Sequence, residues 1–376
     1  MLKQSDSVRA IISGGGTGGH IFPALSIANE LKKRNSGSEI LFVGAQGRME
    51  MEKIPAEGYT IKGLPVSGFK RKLTLKNLGV AYDALRSLRL AKKIIRDYKP
   101  DIVIGVGGYA SGPTLRKAAQ LGIPTLLQEQ NSYAGVTNRL LAKKARKICV
   151  AYTGMEQYFP AEKIVITGNP VRDIQISESL RNEGLKHFEL NNQSPVLLVM
   201  GGSLGARTIN QSLLKNIDRL ISSDIQVIWQ TGTYYFDTIR KQLQGKDLHN
   251  IRIADFISRM ELAYNVSDLL VTRAGAISIS EICLTGKAAI LVPSPNVAED
   301  HQTKNAMALV NNEAAIIVKD NDAENVLMDL IFEALHDDVL RKKLQNNSLK
   351  LAKPLSTVHI VDEIYKILEK KTDGAE

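Results

Sequence analysis

The sequence predicts an α/β protein of two Rossmann-like domains that face each other across a cleft. Three observations lead to this prediction. A strand, a glycine-rich loop and a helix follow one another near the start of the chain and again in its middle. Short apolar strands alternate with helical stretches in both halves, the pattern of a parallel sheet wrapped by helices. Finally, 376 residues with 44% hydrophobic content suffice for two cores and exceed one ordinary domain.

The first half opens with an apolar strand over residues 8–13, and the glycine run 14–19 follows it. Apolar residues then recur at helical spacing, which predicts an amphipathic helix. They are Ile21, Ala24, Leu25, Ala28 and Leu31. Further strands are predicted at 40–43, 102–104, 125–127 and 148–150.

The second half repeats this order, with a strand over 196–200, a loop over 201–205 and a helix over 206–217. Further strands are predicted at 226–229, 269–272 and 289–292. The joint is expected near Thr167-Gly168-Asn169-Pro170, which gives domains 1–170 and 171–354 and a terminal helix within 355–376. Ligands of such sheets bind at the carboxyl ends of the strands, so the active site is expected between the domains.

Charge and cysteine content restrict the class of protein. The net charge is +10, and residues 1–170 carry 26 Lys and Arg against 12 Asp and Glu. This half therefore either meets an anionic partner, such as lipid headgroups, a diphosphate or nucleic acid, or is a solvated basic surface. Cys149 and Cys283 are too few for a disulfide framework or a metal cluster. No apolar run of about 18 residues and no signal-peptide core are present, so we expect a soluble protein that stays inside the cell.

The glycine run 14–19 matches GxGxxG, which alone is weak evidence for a phosphate site. The second strand ends Val43-Gly44-Ala45-Gln46 without the acid that holds a nicotinamide ribose, and the GK[ST] of a nucleotide-hydrolysing loop is absent. His20 follows the glycines directly at a helix start. It is a candidate general base or hydrogen-bond donor, with a surface or capping residue as the alternative.

Two further segments of the first half carry polar or glycine-rich loops. Residues 105–113 hold four glycines, which suits close approach of main chain to a ligand or a membrane. Gln128-Glu129-Gln130-Asn131 follows a strand, and amides beside a carboxylate suit a polyhydroxylated ligand. The alternative is a capping cluster for a helix over 134–142.

In the second half, Arg273 to Glu281 turns from a strand into a helix. Glu281 there could accept from both hydroxyls of a ribose while the helix end faces a diphosphate, or it could simply be favoured by the helix dipole. Residues 299–306 add polar side chains beyond the next strand. The sequence lacks HExxH, a CxxC pair and a strand-terminal Asp-x-Asp, so no metal is required. Arg172, Ser203 and loop amides could offset the charge of a departing diphosphate.

Seven motifs, taken together and in this order, resemble the MurG family of glycosyltransferases. They lie at 14–20, 107–113, 128–131, 168–172, 201–206, 273–281 and 301–306. The resemblance implies the GT-B architecture, with an N-terminal acceptor domain, a C-terminal donor domain and a last helix that returns to the first. It also implies transfer of N-acetylglucosamine from UDP to undecaprenyl-diphospho-N-acetylmuramoyl-pentapeptide, which converts lipid I into lipid II, with inversion at the anomeric carbon.

The resemblance also implies site residues. Those expected to bind substrate are Thr17, Gly18, Gly19, Asn131, Arg172, Ser203, Ile257, Ala276, Ile277, Ser278, Ile279, Ser280, Glu281 and Gln302. Of these, Ile257 would meet the uracil through its backbone and Glu281 the ribose. His20 is the candidate base and Glu129 its rival, because burial can raise the pKa of a carboxyl group. Relatives commonly carry glutamine where this chain has Leu204, so a side-chain contact from that position is not expected.

The location implied is the cytoplasmic face of the bacterial inner membrane. Residues 64–90 mix apolar side chains with Lys70, Arg71, Lys72 and Lys76, a composition suited to an anionic membrane surface. An ordinary surface loop followed by a core helix is the alternative. Other readings of the chain are a different GT-B lipid glycosyltransferase, a UDP-N-acetylglucosamine epimerase or, outside enzymes, a basic nucleic-acid-binding protein. The 5% aromatic content and the lack of a nucleic-acid-reading motif argue against the last.

Overall fold

The computed structural model describes residues 6–66, 76–172 and 174–373. It divides the chain into two compact units. Unit 1 comprises Met1–Arg172 and Lys353–Glu376, and unit 2 comprises Asp173–Ala352. Arg172, which the sequence assigned to the second domain, thus belongs to unit 1.

Unit 1 is built on a seven-stranded sheet in which every pair of neighbouring strands is parallel. The strands are β1 Arg9–Ser13, β2 Glu39–Ala45, β3 Thr60–Leu64, β4 Ile102–Gly105, β5 Thr125–Glu129, β6 Lys147–Val150 and β7 Ile164–Ile166. Their order is β3-β2-β1-β4-β5-β6-β7, so the direction of winding reverses between β1 and β4. Loops that follow these two strands lie at the point where parallel sheets bind ligands.

Helices cover both faces of this sheet. They are α1 Gly18–Arg34, α2 Glu50–Ala56, α3 Lys76–Tyr98, α4 Ser111–Gln120 and α5 Val136–Leu141. Ile12 of β1 packs in an apolar cluster with residues of α1, whereas its neighbour Ile11 packs in a second cluster with residues of α3 and α4. A strand buried on both faces needs an unbroken apolar run, which is why β1 stands out in the sequence.

Unit 2 repeats the design with a six-stranded parallel sheet. Its strands are β8 Val196–Met200, β9 Gln226–Gln230, β10 Ile251–Ala254, β11 Leu269–Thr272, β12 Ala288–Leu291 and β13 Ile316–Ile317. The order is β10-β9-β8-β11-β12-β13, and the reversal lies between β8 and β11. The two loops singled out in the second half of the sequence follow these two strands.

The helices of unit 2 again cover both faces of its sheet. They are α6 Glu178–His187, α7 Arg207–Lys215, α8 Ile217–Ile221, α9 Phe236–Gln242, α10 Met260–Val266, α11 Ala276–Thr285, α12 His301–Val310, α13 Ala323–His336 and α14 Asp338–Lys350. Trp229 is fully buried against α7, where its indole N–H donates to Asn210 Oδ1 at 3.0 Å. This contact gives the only tryptophan of the chain a partner for its polar atom.

The last helix, α15 Ser356–Asp373, returns to unit 1 and packs against α1. Its residues Ile360, Ile364 and Leu368 join the apolar cluster beneath α1. Arg34 of α1 donates to Asp362 at 2.7 Å and to the carbonyl of Val358 at 2.9 Å. The helix therefore completes one face of the unit 1 core.

The predicted fold class, two Rossmann-like α/β domains, is confirmed. The sequence did not predict β3, β7, β10 and β13, which lie at or beside the sheet edges. These strands are short or only half-buried, so no continuous apolar run marks them. The strand predicted at 125–127 continues through Glu129 because Gln128 and Glu129 are buried and their backbone stays paired with β6.

Candidate functional site

The glycine loop of unit 1 connects β1 to α1 at the reversal of the sheet. Thr17 is the N-cap residue of α1 and Gly18 its first residue. Gly15 and Gly16 have φ values of +144° and +88°, a region that favours glycine. A Cβ atom on Gly14 would lie 2.2 Å from Val106 Cγ2. The glycines are therefore required by packing as well as by backbone conformation.

A second glycine loop, between β4 and α4, packs directly against the first. A Cβ atom on Gly108 would lie 2.5 Å from the carbonyl oxygen of Gly15. The Ser111 hydroxyl lies within hydrogen-bond distance of two carbonyl oxygens, those of Ser13 at 2.6 Å and Gly107 at 2.8 Å. Close contact between the two segments accounts for Gly107 and Gly108, whose added Cβ atoms would meet His20 and Gly15, whereas a Cβ atom on Gly105 would meet Leu115. The sequence had assigned these glycines to the close approach of a ligand or a membrane.

His20 lies in the first turn of α1, half-buried, as predicted. Its Nδ1 is 3.0 Å from the carbonyl oxygen of Gly15 and 3.4 Å from Thr17 Oγ1. A carbonyl only accepts hydrogen bonds, so the shorter contact assigns the proton of the neutral ring to Nδ1. Nε2 lies beside Gly107, where an added Cβ would be 2.7 Å away. The neutral ring therefore presents an Nε2 lone pair, the form a general base needs.

Glu50, which the sequence analysis did not single out, lies under the glycine loop. Only 1% of this residue is exposed, at the start of α2. Its Oε2 accepts from the Gly16 N–H at 2.8 Å, and its Oε1 accepts from the Ala45 N–H at 3.0 Å. The sequence has no acid at the end of the second strand, β2. The structure brings one there from five residues further along, bound to main-chain amides.

Glu129 uses both carboxylate oxygens inside unit 1, where it is 2% exposed. Oε1 accepts from the backbone and side-chain amides of Asn131 at 3.2 and 3.4 Å. Oε2 accepts from the Gly135 N–H at 3.0 Å and from Asn138 Nδ2 at 2.9 Å. Since Gly135 is the N-cap residue of α5, these bonds support the capping interpretation.

The neighbouring amides form a buried network. Gln128 Nε2 donates to Asn169 Oδ1 at 3.1 Å, and Asn169 Nδ2 donates to the Gln130 carbonyl at 3.1 Å. Gln130 Nε2 donates to the Val106 carbonyl at 2.8 Å. These bonds tie the end of β5 to the loop after β4. Of the four residues at 128–131, only Asn131 is partly exposed and can reach a ligand.

In unit 2, the glycine loop after β8 packs against the loop after β9. A Cβ atom on Gly205, whose φ is +90°, would lie 2.2 Å from the Thr231 carbonyl oxygen. The Ser203 carbonyl accepts from the Thr233 N–H at 3.2 Å, which fixes the turn that presents the partly exposed Ser203. Leu204 is 66% exposed, so its apolar side chain contributes little to the core.

Helix α11 begins at Ala276, after the N-cap residue Gly275. Glu281 lies in its second turn and is 5% exposed. Its Oε2 accepts from the hydroxyl of the fully buried Tyr264 at 2.9 Å. Sequence reasoning missed Tyr264, because nothing in a local pattern pairs it with a glutamate in another helix.

The predicted strip 276–281 does not present all its side chains alike. Ile279 packs in the core with Ile282, because residues three apart share a face of a helix. Ser278 and Ser280 are half-buried, and Ser280 Oγ donates to the Ala276 carbonyl at 3.0 Å. Ala276 and Ile277 are buried, so they can offer a ligand their backbone amides at the helix N-terminus more readily than their side chains.

Two other predicted residues already have partners within unit 2. The Ile257 N–H donates to Gln230 Oε1 at 3.0 Å, and Gln302 Oε1 accepts from the Ser294 N–H at 2.8 Å. A uracil that used the Ile257 N–H would have to displace the Gln230 side chain. Gln302 lies in the first turn of α12 and is half-buried.

Arg273 anchors the turn that leads into α11. Its Nη1 donates to the Val292 carbonyl at 3.0 Å and forms an ion pair with Asp320. Asp320 Oδ2 also accepts from Thr208 Oγ1 at 2.9 Å. This pair links the loops that follow β11 and β12 with α7. Its geometry indicates a supporting role for Arg273.

Arg172, at the end of unit 1, stacks its guanidinium 5.2 Å above the ring of Phe22 in α1. Such a contact orients a cation without neutralising it.

Burial raises the pKa of Cys149, and it raises the pKa of Cys283 to about 12. Both thiols are buried and neither forms a disulfide.

Within the described part of the chain, no three His, Cys, Asp or Glu side chains are grouped so as to hold a metal ion. None of its helices combines the length and the apolar character needed to cross a membrane.

Comparison with known proteins shows similarity along nearly the whole chain. The glycosyltransferase family 28 N-terminal domain matches residues 10–150, and the corresponding C-terminal domain matches residues 196–360. A protein of Parabacteroides distasonis is 58% identical over 96% of this chain and 99% of its own length. It is named UDP-N-acetylglucosamine–N-acetylmuramyl-(pentapeptide) pyrophosphoryl-undecaprenol N-acetylglucosamine transferase.

Solved structures are similar as well. The crystal structure of Acinetobacter baumannii MurG matches with a TM-score of 0.73 and 29% identity, covering 95% of this chain and 99% of that one. A UDP-GlcNAc 2-epimerase from Neisseria meningitidis, bound to UDP-GlcNAc, matches with a TM-score of 0.64 over 95% of this chain and 99% of that one. At 15% identity, the second likeness shows a shared fold alone.

Proposed function

Because the chain belongs to the MurG family within glycosyltransferase family 28, we propose that it transfers N-acetylglucosamine from UDP to a lipid-linked acceptor. The acceptor is the 4-hydroxyl of N-acetylmuramic acid in undecaprenyl-diphospho-N-acetylmuramoyl-pentapeptide, so lipid I becomes lipid II. The full-length similarity to a transferase of that name is the observation on which this rests. The reaction is a step of peptidoglycan synthesis.

Unit 2 binds the donor in this proposal. The carboxylate of Glu281, held by Tyr264, accepts from the ribose hydroxyls. The N-terminus of α11 and the Ser203 loop aim main-chain amides at the diphosphate, where a helix dipole favours negative charge. Ile257 and Gln302 meet the uracil and the sugar after their present hydrogen bonds open.

Unit 1 binds the acceptor. Thr17, Gly18 and Gly19 form an exposed or half-exposed helix start, and Asn131 is the amide of the 128–131 segment that reaches the surface. We assign the general base to His20, because the contact of Nδ1 with the Gly15 carbonyl places the lone pair of the neutral ring on Nε2. The carboxylate of Glu129 accepts four hydrogen bonds, and at least one of them would have to open before it could take a proton.

The transfer is a single displacement. His20 Nε2 takes the proton of the acceptor 4-hydroxyl as its oxygen attacks the anomeric carbon from the face opposite UDP, and the bond to the β-phosphate oxygen breaks. The product is the β-linked disaccharide, and UDP leaves with both electrons of that bond. Loop amides, Ser203 and Arg172 stabilise the diphosphate, so the step uses no metal or other cofactor.

Peripheral attachment to the anionic cytoplasmic surface of the inner membrane completes the proposal. Tyr82 and Leu85 of α3 are exposed, as are Val136 and Leu140 of α5, and both helices pack against α4. Basic side chains accompany them, among them Arg139. Exposed apolar groups beside cations suit a membrane interface. Lys70, Arg71 and Lys72 of the predicted membrane segment lie outside the described residues.

Acceptor competition tests this proposal. Labelled UDP-N-acetylglucosamine is supplied with a lipid I analogue, diacylglycerol and no acceptor in parallel, with and without EDTA. We expect label in the lipid I analogue alone, at a rate that EDTA leaves unchanged. Label in diacylglycerol would favour another lipid glycosyltransferase, and conversion of the donor to its 2-epimer would favour an epimerase. A rise in melting temperature with an oligonucleotide rather than with the donor would favour nucleic-acid binding.

A further inference from the structure

The peptide unit between Gly15 and Gly16 lies between two ionisable side chains. On one side, its N–H donates to Glu50 Oε2 at 2.8 Å. On the other, its carbonyl oxygen is 3.0 Å from His20 Nδ1. A single rigid plane therefore connects a buried carboxylate to the imidazole that faces the second glycine loop.

We propose that Glu50 is a positioning residue for the transfer reaction, acting on His20 through the Gly15–Gly16 peptide. The inference rests on the proposed role of His20 as general base. Glu50 orients the peptide so that its carbonyl accepts from His20 Nδ1, and this fixes the tautomer in which Nε2 carries the lone pair. In a catalytic triad, a carboxylate orients the histidine by a direct hydrogen bond. Glu50 has the same role here, with one peptide unit between its carboxylate and the imidazole.

Hydrogen bonds in series strengthen one another, and this gives the arrangement a chemical effect beyond packing. A carboxylate that accepts from the N–H polarises the peptide and leaves more negative charge on its carbonyl oxygen. That oxygen becomes a better acceptor for Nδ1–H and stabilises the imidazolium formed when Nε2 takes a proton. Among the described residues, no cation forms an ion pair with Glu50, so main-chain amides carry its polar interactions.

The surrounding glycines fit this carboxylate closely. A Cβ atom on Gly15 would lie 2.2 Å from Glu50 Oε1, and one on Gly44 would lie 2.6 Å from Glu50 Cγ. The second oxygen of Glu50 is held by the Ala45 N–H, so the carboxylate cannot rotate away from the loop without losing both bonds. The loop and the end of β2 thus form a socket for this one side chain.

The first test reads the tautomer of His20 in the intact protein by long-range ¹H–¹⁵N NMR, with His20→Ala used to assign its signals. We expect the neutral ring of the wild type to carry its proton on Nδ1. In Glu50→Gln, whose neutral amide cannot accept from both N–H groups, we expect the population to shift toward the Nε2–H form. An Nε2–H tautomer in the wild type, or an unchanged tautomer in Glu50→Gln, would overturn the proposal.

Steady-state kinetics supply the second test, with Glu52→Gln on the exposed side of α2 as the matched control. In Glu50→Gln we expect kcat to fall by about tenfold or more, with the donor KM unchanged. A higher donor KM and a lower melting temperature, with kcat unchanged, would show that Glu50 has only a structural role. Retained turnover in His20→Ala would instead refute the assignment of His20 as general base. The NMR measurement of the tautomer tests the effect of Glu50 on His20 independently of that assignment.

Discussion

The hydroxyl of Tyr264 donates a 2.9 Å hydrogen bond to Oε2 of Glu281, and both side chains are buried within unit 2. The bond joins α10 to α11 and fixes the carboxylate that the proposal places on the donor ribose. We expect Tyr264→Phe to weaken donor binding by at most about 3 kcal/mol, the upper value for a hydrogen bond to a charged group, because the carboxylate is still present but less firmly held. Isothermal calorimetry with UDP measures it, and Tyr234→Phe, at an exposed tyrosine, is the control.

Removal of the Glu281 carboxylate should also weaken donor binding. Glu281→Ala is expected to raise the dissociation constant for UDP-N-acetylglucosamine by more than Tyr264→Phe does, because it deletes the acceptor instead of loosening it. Turnover at saturating donor should change less than the affinity. Unaltered nucleotide affinity in Glu281→Ala would exclude this glutamate from the donor site.

Substitutions of the two candidate bases, His20 and Glu129, should have different effects on turnover and on thermal stability. His20→Ala is expected to lower kcat by about a hundredfold or more, with little change in UDP affinity. Glu129→Gln leaves the partly buried amide of Asn131 and the buried amide of Asn138 without a full partner, so we expect it chiefly to lower the melting temperature. Near-normal turnover in His20→Ala together with a folded but inactive Glu129→Gln would reverse the assignment.

Membrane attachment can be tested at an exposed leucine. Leu140→Glu on α5 places a charge in the apolar surface of unit 1 and should reduce cosedimentation with vesicles that contain anionic lipid. Val339→Glu, at an equally exposed site of unit 2, is the matched control and should leave binding unchanged. Equal binding by wild type and Leu140→Glu would remove α5 from the membrane surface.

Lys287 makes a prediction about pH and stability. Burial lowers its pKa from 10.5 to about 8, and its Nζ donates to the Ser267 carbonyl at 2.8 Å. The unfolded state binds more protons between these two values, so this lysine makes the free energy of unfolding rise with pH from about 8 to 10.5. The gain should reach about 3 kcal/mol at most. It should be absent in Lys287→Met and retained in Lys350→Met, at an exposed lysine.

Central strands were predictable because they are buried on both faces. The strands β8 and β11 coincide with the predicted ranges; β8 is an uninterrupted apolar run, and β11 is apolar up to its last residue, Thr272. The edge strand β3, Thr60–Leu64, has a lysine and a glycine and is only partly buried, so its pairing with β2 is set by tertiary contacts. The strand β13 was also not predictable from the sequence, because it has only two residues.

The position of a site residue was easier to predict than its partners. His20 was predicted at a helix start because it directly follows the glycine run that leads into the predicted helix. The structure has it in the first turn of α1. Glu50 was missed because its bond to Gly16 spans 34 residues, and no local pattern encodes such a contact. Glu129 was ambiguous, since a carboxylate at a strand end suits a sugar as well as a helix cap, and only its hydrogen bonds favour the cap.

The linkage formed in the product is the strongest test of the proposed transfer. The protein is incubated with UDP-N-acetylglucosamine and a lipid I analogue, and the lipid product is examined by NMR while released UDP is quantified. The proposed inverting transfer gives one UDP for each N-acetylglucosamine transferred, and a β-linkage to the 4-oxygen of N-acetylmuramic acid. An α-linked product, attachment at another hydroxyl, or consumption of the donor without a glycosylated lipid would contradict it.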